Sequence, residues 1–431
     1  MAERIVVIGG GLAGLTAAYS LQRRGRKCLV FEKESAAGGL CRSKRAGGFT
    51  FDQCGHLLHF RHREIFSFVR KILGADLAMH ERNAWVYAGG GCVRYPFQAN
   101  LYGLPRDMAQ ECLLEFIKAR NGKDKKDSHP ACSFSVWINR TFGSGIARHF
   151  MTPYNRKFWS RPCSLLTTEW LDGFIPIPTL REVIEGSLAS TERQFGYNAR
   201  FWYPRSGGIQ ALPDRLARGI EGLRTDAPVT HVDLKNRKIR LASGEWERYD
   251  RLISTMPLPE WAGKTSLPAD IRQCVKRLRW TSITCVNLGV RSRREERRHW
   301  IYFPQKDIPF YRVGFSHRLS GRNAPAGTHS LYVEISRPGT GTCDRGHSLG
   351  TIVRRLRDCG CLDAKDTVVE SDICDIPYGY VVYDRQRTPS VEKIKDFLAR
   401  HGVVCLGRYG SWEYLSMEGT MAQARECIAA L

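Results

Sequence analysis

Arg4 to Ile8, RIVVI, is a short apolar run, the pattern of a parallel strand covered on both faces. Apolar positions then recur at helical spacing from about Leu12 to Gly25, and a second apolar run follows from Cys28 to Phe31. Strand, helix and strand in that order predict a right-handed crossover and a parallel sheet. Phe134 to Trp159 and Thr179 to Phe195 carry helix-like periodicity. Alternation from Val229 to Ser254 predicts strands, as do Ile283 to Val290, Trp300 to Phe303 and Ser330 to Ile335. A strand from Val403 to Leu406, a turn at Gly407 and a helix from about Met417 complete the pattern. The charged stretch Lys118 to Ser128 predicts a surface loop, and no internal repeat or low-complexity tract is present. The expected fold is α/β. A parallel sheet is assembled from separated segments (1–60, 205–260 and 395–431), a helical insertion spans 100–200, and a β-rich substrate-side domain takes 61–99 and 261–394.

Length and composition add limits. At 431 residues the chain is long for one domain and comfortable for two or three. No stretch approaches the roughly 18 consecutive apolar residues of a spanning helix. The apolar run at Ile5 passes straight into glycines with no cleavage site, so a cytoplasmic location is expected. Fifteen scattered cysteines, an odd number, read as a reduced thiol pool. The net charge of +23 gathers in Arg23-Arg24-Gly25-Arg26-Lys27, in Lys123-Asp124-Lys125-Lys126, and in Arg291 to Arg298, the last a solvated loop with its own Glu295 and Glu296. Without a helix-turn-helix, zinc-finger or RNP pattern, nucleic acid is not the expected partner. Small anionic ligands, or a basic surface without a dedicated partner, remain.

The chemistry begins at Gly9-Gly10-Gly11-Leu12-Ala13-Gly14, a G-x-G-x-x-G between strand and helix. Gly9 permits the tight turn, Gly11 lets the backbone approach a pyrophosphate at the helix N-terminus, and Gly14 lets the helix pack closely on the strand. Glu32 ends the second strand where a carboxylate reaches both ribose hydroxyls, which argues against a 2′-phosphate. Lys33, then Gly38-Gly39 and Arg42, extend the same cradle, and this extension points to FAD rather than NAD. His56 and His59, in Gly55-His56-Leu57-Leu58-His59, lack a third ligand at metal spacing, so no metal site is expected. They are core histidines, or His56 lies against the flavin ring. Arg94-Tyr95-Pro96-Phe97, Pro153 to Trp159 and Phe201 to Gly208 mix aromatic and basic residues, a composition that suits a stacked base and its phosphates as well as ordinary packing.

These segments together resemble UDP-galactopyranose mutases, within the wider protoporphyrinogen-oxidase-like and amine-oxidase-like FAD superfamily. The resemblance is patchy but spans nearly the whole chain. Gly55-His56 with His59 is similar to the mutases' glycine–histidine stretch beside the flavin, and Arg94 to Phe97 to their leucine–proline–phenylalanine turn. Tyr154, Lys157 and Trp159 match their tyrosine-x-x-lysine-x-tryptophan helix, and Ile308 to Arg312 their valine–proline–tyrosine-x-arginine segment. The resemblance implies that Tyr154 and Trp159 bind substrate and that Arg312, Tyr380, Arg408 and Tyr414 hold a diphosphate. It implies further that His56 tunes the flavin and that Val229, Gly407 and Met417 contact the cofactor. Two departures stand out. Phe174-Ile175-Pro176-Ile177-Pro178 lacks both arginines of the corresponding mutase segment, and Ser416 replaces an aspartate.

The implied reaction interconverts pyranose and furanose forms of a nucleoside-diphosphate sugar, through attack of reduced flavin N5 on the anomeric carbon, with NAD(P)H as a possible reductant. The alternative is a true FAD-dependent oxidoreductase of the amine-oxidase or protoporphyrinogen-oxidase type acting on a small or lipophilic substrate. A flavin-binding protein without catalysis is a third class. The sugar, the base and the oligomeric state are not legible.

Overall fold

The computed structural model describes residues 3–121, 132–171, 173–339 and 348–431. A five-stranded parallel sheet is ordered Val403–Cys405, Arg251–Ser254, Ile5–Ile8, Cys28–Phe31, Leu223–Arg224. Its strands come from four distant stretches of chain. The three inner strands are apolar and buried at their centres, as strands covered on both faces are, while the edge strand Leu223–Arg224 is only half buried. Ile5–Ile8 is buried throughout, and helix Leu12–Gln22 covers it from one side together with the last helix, Met417–Ala429. The carboxyl ends of these strands lead into Gly9, Glu32, Thr255 and Gly407, and ligands bind at that edge of open parallel sheets.

A second sheet has seven strands, ordered Thr367–Val381, Trp280–Arg291, Thr328–Pro338, Arg312–Phe315, Trp300–Tyr302, Ala84–Ala88, Gly91–Arg94. The three predicted strands in its middle are present, two of them longer than expected. Its 15-residue edge strand, Thr367–Val381, was not anticipated. Asp372, Asp375 and Pro377 obscure its alternation, and an edge position tolerates both charge and proline. A smaller antiparallel sheet, Val229–Asp233, Lys238–Leu241 and Trp246–Arg248, accounts for the alternation after Val229.

The helical part departs from expectation in detail. Helix Arg106–Asn121 includes Lys118, so the predicted loop 118–128 begins inside a helix, and its remainder lies outside the described residues. The run Phe134 to Trp159 is broken at Gly143, whose φ of 77° allows the backbone to pass the Glu115 carbonyl, where a Cβ would collide. A π-turn at Ala147–Met151 then re-aims helix Thr152–Trp159 toward the interior. The helix expected over 179–195 stops at Leu188; it begins with a capping box between Thr179 and Glu182. Among the described residues no cysteine is in a disulfide, and no helix is long and apolar enough to cross a membrane.

Candidate active site

The glycine turn after Ile8 makes a groove without side chains. Gly38 N–H donates to the Gly10 carbonyl at 2.8 Å, and the Cα of Gly11 faces Gly39. Helix Leu12–Gln22 begins at Gly11 with no side chain capping its first N–H groups, which leaves them for an anion. A Cβ on Gly14 would overlap the Gly9 carbonyl oxygen, so Gly14 serves the close helix–strand contact. A Cβ on Gly11 would meet only Gly39 Cα at 3.7 Å. The two glycines are thus separable. Gly11→Val is expected to fold and to weaken FAD binding on the order of 10- to 100-fold, measured by flavin reconstitution, because its side chain takes the pyrophosphate's place. A Gly11→Val protein that retains FAD with unchanged affinity would contradict this.

Glu32 is buried; its Oε2 accepts from Gly10 N–H at 2.6 Å and its Oε1 from Glu34 N–H at 3.0 Å, which holds the carboxylate at the strand end. Arg42 Nε donates to the Gly39 carbonyl at 3.1 Å, fixing the second glycine pair. Lys33 is exposed. Val229 is buried in the core of the small sheet, and it is Ala227, two residues earlier, whose N–H meets the Glu32 carbonyl at 2.8 Å. Gly407 lies against Ala13 of the first helix, and Gln423 Oε1 accepts from its N–H at 2.8 Å.

Between the two sheets and the helical part lies a cavity of about 280 Å³. Its walls take Leu40 and His56 from the nucleotide side, Tyr154 from helix Thr152–Trp159, and Arg312 and Tyr380 from the large sheet. Arg408, Tyr414 and Met417 come from the segment between the last strand and the last helix. The fold therefore collects most of the predicted substrate-side residues on one cavity. Trp159 is the exception. It is fully buried and packs behind Tyr380 and Tyr414, with centroids 6.0 and 5.7 Å away, rather than lining the space. The helix is rotated this way because Lys157 Nζ donates to the carbonyls of Phe303 and Phe310, at 2.7 and 3.0 Å. Burial brings that ammonium down to about 7. The same clip presents Tyr154 to the cavity, its ring stacked on Phe150 at 5.3 Å.

The two arginines differ. Arg312 and Glu334 are cross-strand partners, joined by two bonds of 2.7 Å, and Glu334 Oε1 also accepts from Gly55 N–H at 2.9 Å. Burial works to raise the Glu334 carboxyl, but the guanidinium beside it outweighs burial and holds it below the ordinary carboxylate range. Arg312 is on the cavity wall as expected, yet its fork is committed to protein. Arg408 is different: its Nη1 donates to the Leu415 carbonyl at 3.3 Å, while Nε and Nη2 are buried without a partner. The rings of Tyr380 and Tyr414 flank it, with centroids 4.8 and 4.9 Å from its central carbon. A buried guanidinium with two unmade bonds is costly unless acceptor oxygens join it.

His56 and His59 both line the cavity, and burial drives each imidazole down to about 4, so both are neutral at pH 7. His56 Nδ1 is buried and unpartnered. Among the described residues no Asp or Glu lines the cavity, while two arginines and six tyrosines do. Among the described residues no group of His, Cys, Asp and Glu is placed to hold a metal ion. Sequence reasoning missed Glu334, although a lone acid inside the apolar strand Leu331-Tyr332-Val333-Glu334-Ile335 was a visible signal. It also missed Tyr302, Tyr197 and Gln98, which line the cavity from segments without a distinctive pattern.

The family described as flavin containing amine oxidoreductase matches residues 12–332, and the chain belongs to it. A crystal structure of reduced UDP-galactopyranose mutase superposes with a TM-score of 0.92 at 27% identity, covering 99% of this chain and 93% of that one. A zeta-carotene-forming phytoene desaturase of Myxococcus xanthus is 25% identical over 403 residues, 78% of this chain and 72% of that protein. A CLA-producing fatty acid isomerase of P. acnes shares the fold, with a TM-score of 0.67 at 13% identity over 100% and 98% of the two chains.

Proposed function

Within this family of FAD enzymes, we propose that the chain is a flavin-dependent mutase that interconverts ring forms of a nucleoside-diphosphate sugar. The observation that carries this reading is Arg408, whose two unmade N–H bonds lie at a cavity that no Asp or Glu lines among the described residues. Such a cavity suits an anionic substrate. A protonated amine, the ligand that the family's name suggests, would meet the unpaired guanidinium of Arg408, while the carboxylate nearest the cavity, Glu334, is already bound by Arg312. Tyr380 and Tyr414 add hydroxyl donors on either side of Arg408, and neutral His56 adds no charge.

The glycine groove, Glu32 and Arg42 fit FAD. Gly11 and Gly39 leave room for the pyrophosphate, the open helix N-terminus carries N–H donors, and Glu32 is fixed at the ribose position. When bound, the reduced isoalloxazine supplies a nucleophilic nitrogen. The chain's own residues do the rest. Arg408, Tyr380 and Tyr414 bind and orient the diphosphate as it leaves and returns, in a site that costs no reorganisation at that moment. Tyr154 offers a ring face to a base. Phe174, which stands where the mutases carry the first of two arginines, lines the cavity as apolar surface beside Ile175, so a larger share of the phosphate contacts falls to Arg408.

A second reading, oxidation of a lipophilic substrate, draws on the apolar half of the cavity (Leu40, Leu57, Met151, Ile283, Ile376) and on the desaturase relative. A panel of nucleotide sugars separates the two. With dithionite-reduced protein the mutase is expected to change product ring size, to consume no stoichiometric reductant, and to stop on air oxidation. Turnover that requires oxygen and makes peroxide would replace this reading with the second.

A further inference from the structure

Among the described residues, part of the charge in the basic runs that stand out in the sequence is paired. Arg26 pairs with Glu3, Arg297 with Glu295 at 2.9 Å, and Arg298 and Arg294 with buried Glu296 at 2.5 and 3.5 Å. The run 291–298 is thus partly folded down rather than wholly solvated, and 123–126 lies outside the described residues.

The outer face of the small antiparallel sheet is different. Antiparallel register places His231, Arg240 and Trp246 in one row and Asp233, Lys238 and Arg248 in the next. The opposite face of the same strands, Val232, Ile239 and Leu241, is buried in the core, so the first face can only look outward. Trp246 is 45% exposed. Lys238 Nζ lies 5.1 Å, and the Arg240 central carbon 6.0 Å, from its ring. Lys235 and Arg237, at the adjoining turn, are exposed as well. None of these five cations forms an ion pair among the described residues. The one acid of the face, Asp233, accepts from the N–H and Nδ2 of Asn236 in its own turn, at 2.9 and 2.8 Å.

We propose that this face docks on an anionic phospholipid surface, with Trp246 seated among the headgroups and Lys238, Arg240 and Arg248 on lipid phosphates. Held at cation–π distance from Lys238 and Arg240, the exposed ring of Trp246 combines apolar surface and positive charge on one outward face. This amphipathic ring favours the membrane–water boundary, and cations beside it are drawn to anionic headgroups. A flat three-stranded face with one ring suits a planar charged surface. It offers neither a helix for a groove nor the series of stacking rings that a single strand requires.

The test uses the full chain loaded with FAD and vesicles of phosphatidylcholine, with or without phosphatidylserine. Cosedimentation is expected with the mixed vesicles only and should weaken with salt. Lys238→Glu/Arg240→Glu should lower partitioning by at least about tenfold, and Arg291→Glu/Arg293→Glu, an equal charge change elsewhere, by no more than about twofold. Trp246→Phe should remove a blue shift of tryptophan emission on binding. Flavin absorbance checks that each variant is folded. Equal losses in the two double variants would overturn the proposal in favour of diffuse charge attraction. So would absence of vesicle binding, or binding of an oligonucleotide instead of vesicles by this face.

Discussion

Arg408→Lys is expected to leave FAD bound and the protein folded, while lowering ring interconversion of the nucleotide sugar by roughly 30- to 1000-fold, about 2–4 kcal/mol of transition-state stabilisation. An ammonium keeps the charge but loses the planar fork that fits phosphate oxygens. Arg408→Ala should be worse still. The effect should fall on turnover and on the affinity for the nucleoside diphosphate alike, since the leaving group is the species that needs the guanidinium. Steady-state rates and calorimetric binding of the diphosphate check both. Release of FAD from Arg408→Lys would assign the residue to the cofactor, because its unmade bonds would then belong to flavin oxygens.

Alone, Arg312→Ala leaves Glu334 charged and fully buried, and Glu334→Ala leaves the guanidinium without its partner. Breaking a buried pair from one side costs about 3–5 kcal/mol, so each single variant should show a lower urea midpoint and poorer expression. Arg312→Met/Glu334→Met, which removes both charges at similar volume, should recover most of that loss. A double variant no better than the singles would show that Gly55, which also donates to Glu334, matters more than the pair.

Acid adds a second check. Glu334 has a folded value below its ordinary 4.5, so its stabilisation is complete above that value and is lost as pH falls through the depressed one. Arg312 stays charged throughout. Arg312→Met/Glu334→Met should therefore lose less stability than the wild type on acidification below about pH 4.5.

Glu334 also explains why the two arginines, alike by resemblance, are unlike in the molecule. A glutamate within an apolar strand reads as an outward-facing residue when only its neighbours in sequence are seen. Whether it faces water or an arginine is settled by pairing with a strand 22 residues away. Trp159 is a parallel case. The motif places it on the correct helix, but the Lys157 clip to two distant carbonyls sets the helix's rotation and turns Trp159 behind the site.

What the sequence determined by itself is the nucleotide end. Strand, glycine turn, helix, Glu32 and the second glycine pair lie within some forty residues, and their contacts join backbone groups to one another or to the Glu32 and Arg42 side chains, all near neighbours in sequence. Steric demands of that kind are written locally, in where a Cβ is missing. The tertiary structure decided the other end. Arg312, Glu334, Tyr380, Arg408 and Tyr414 come from segments spread over a hundred residues. Their side chains acquire roles only through cross-strand register, helix rotation and the burial that removes water from competition. Whether an arginine is spent on a carboxylate or left for a ligand depends on a neighbour that only the fold supplies.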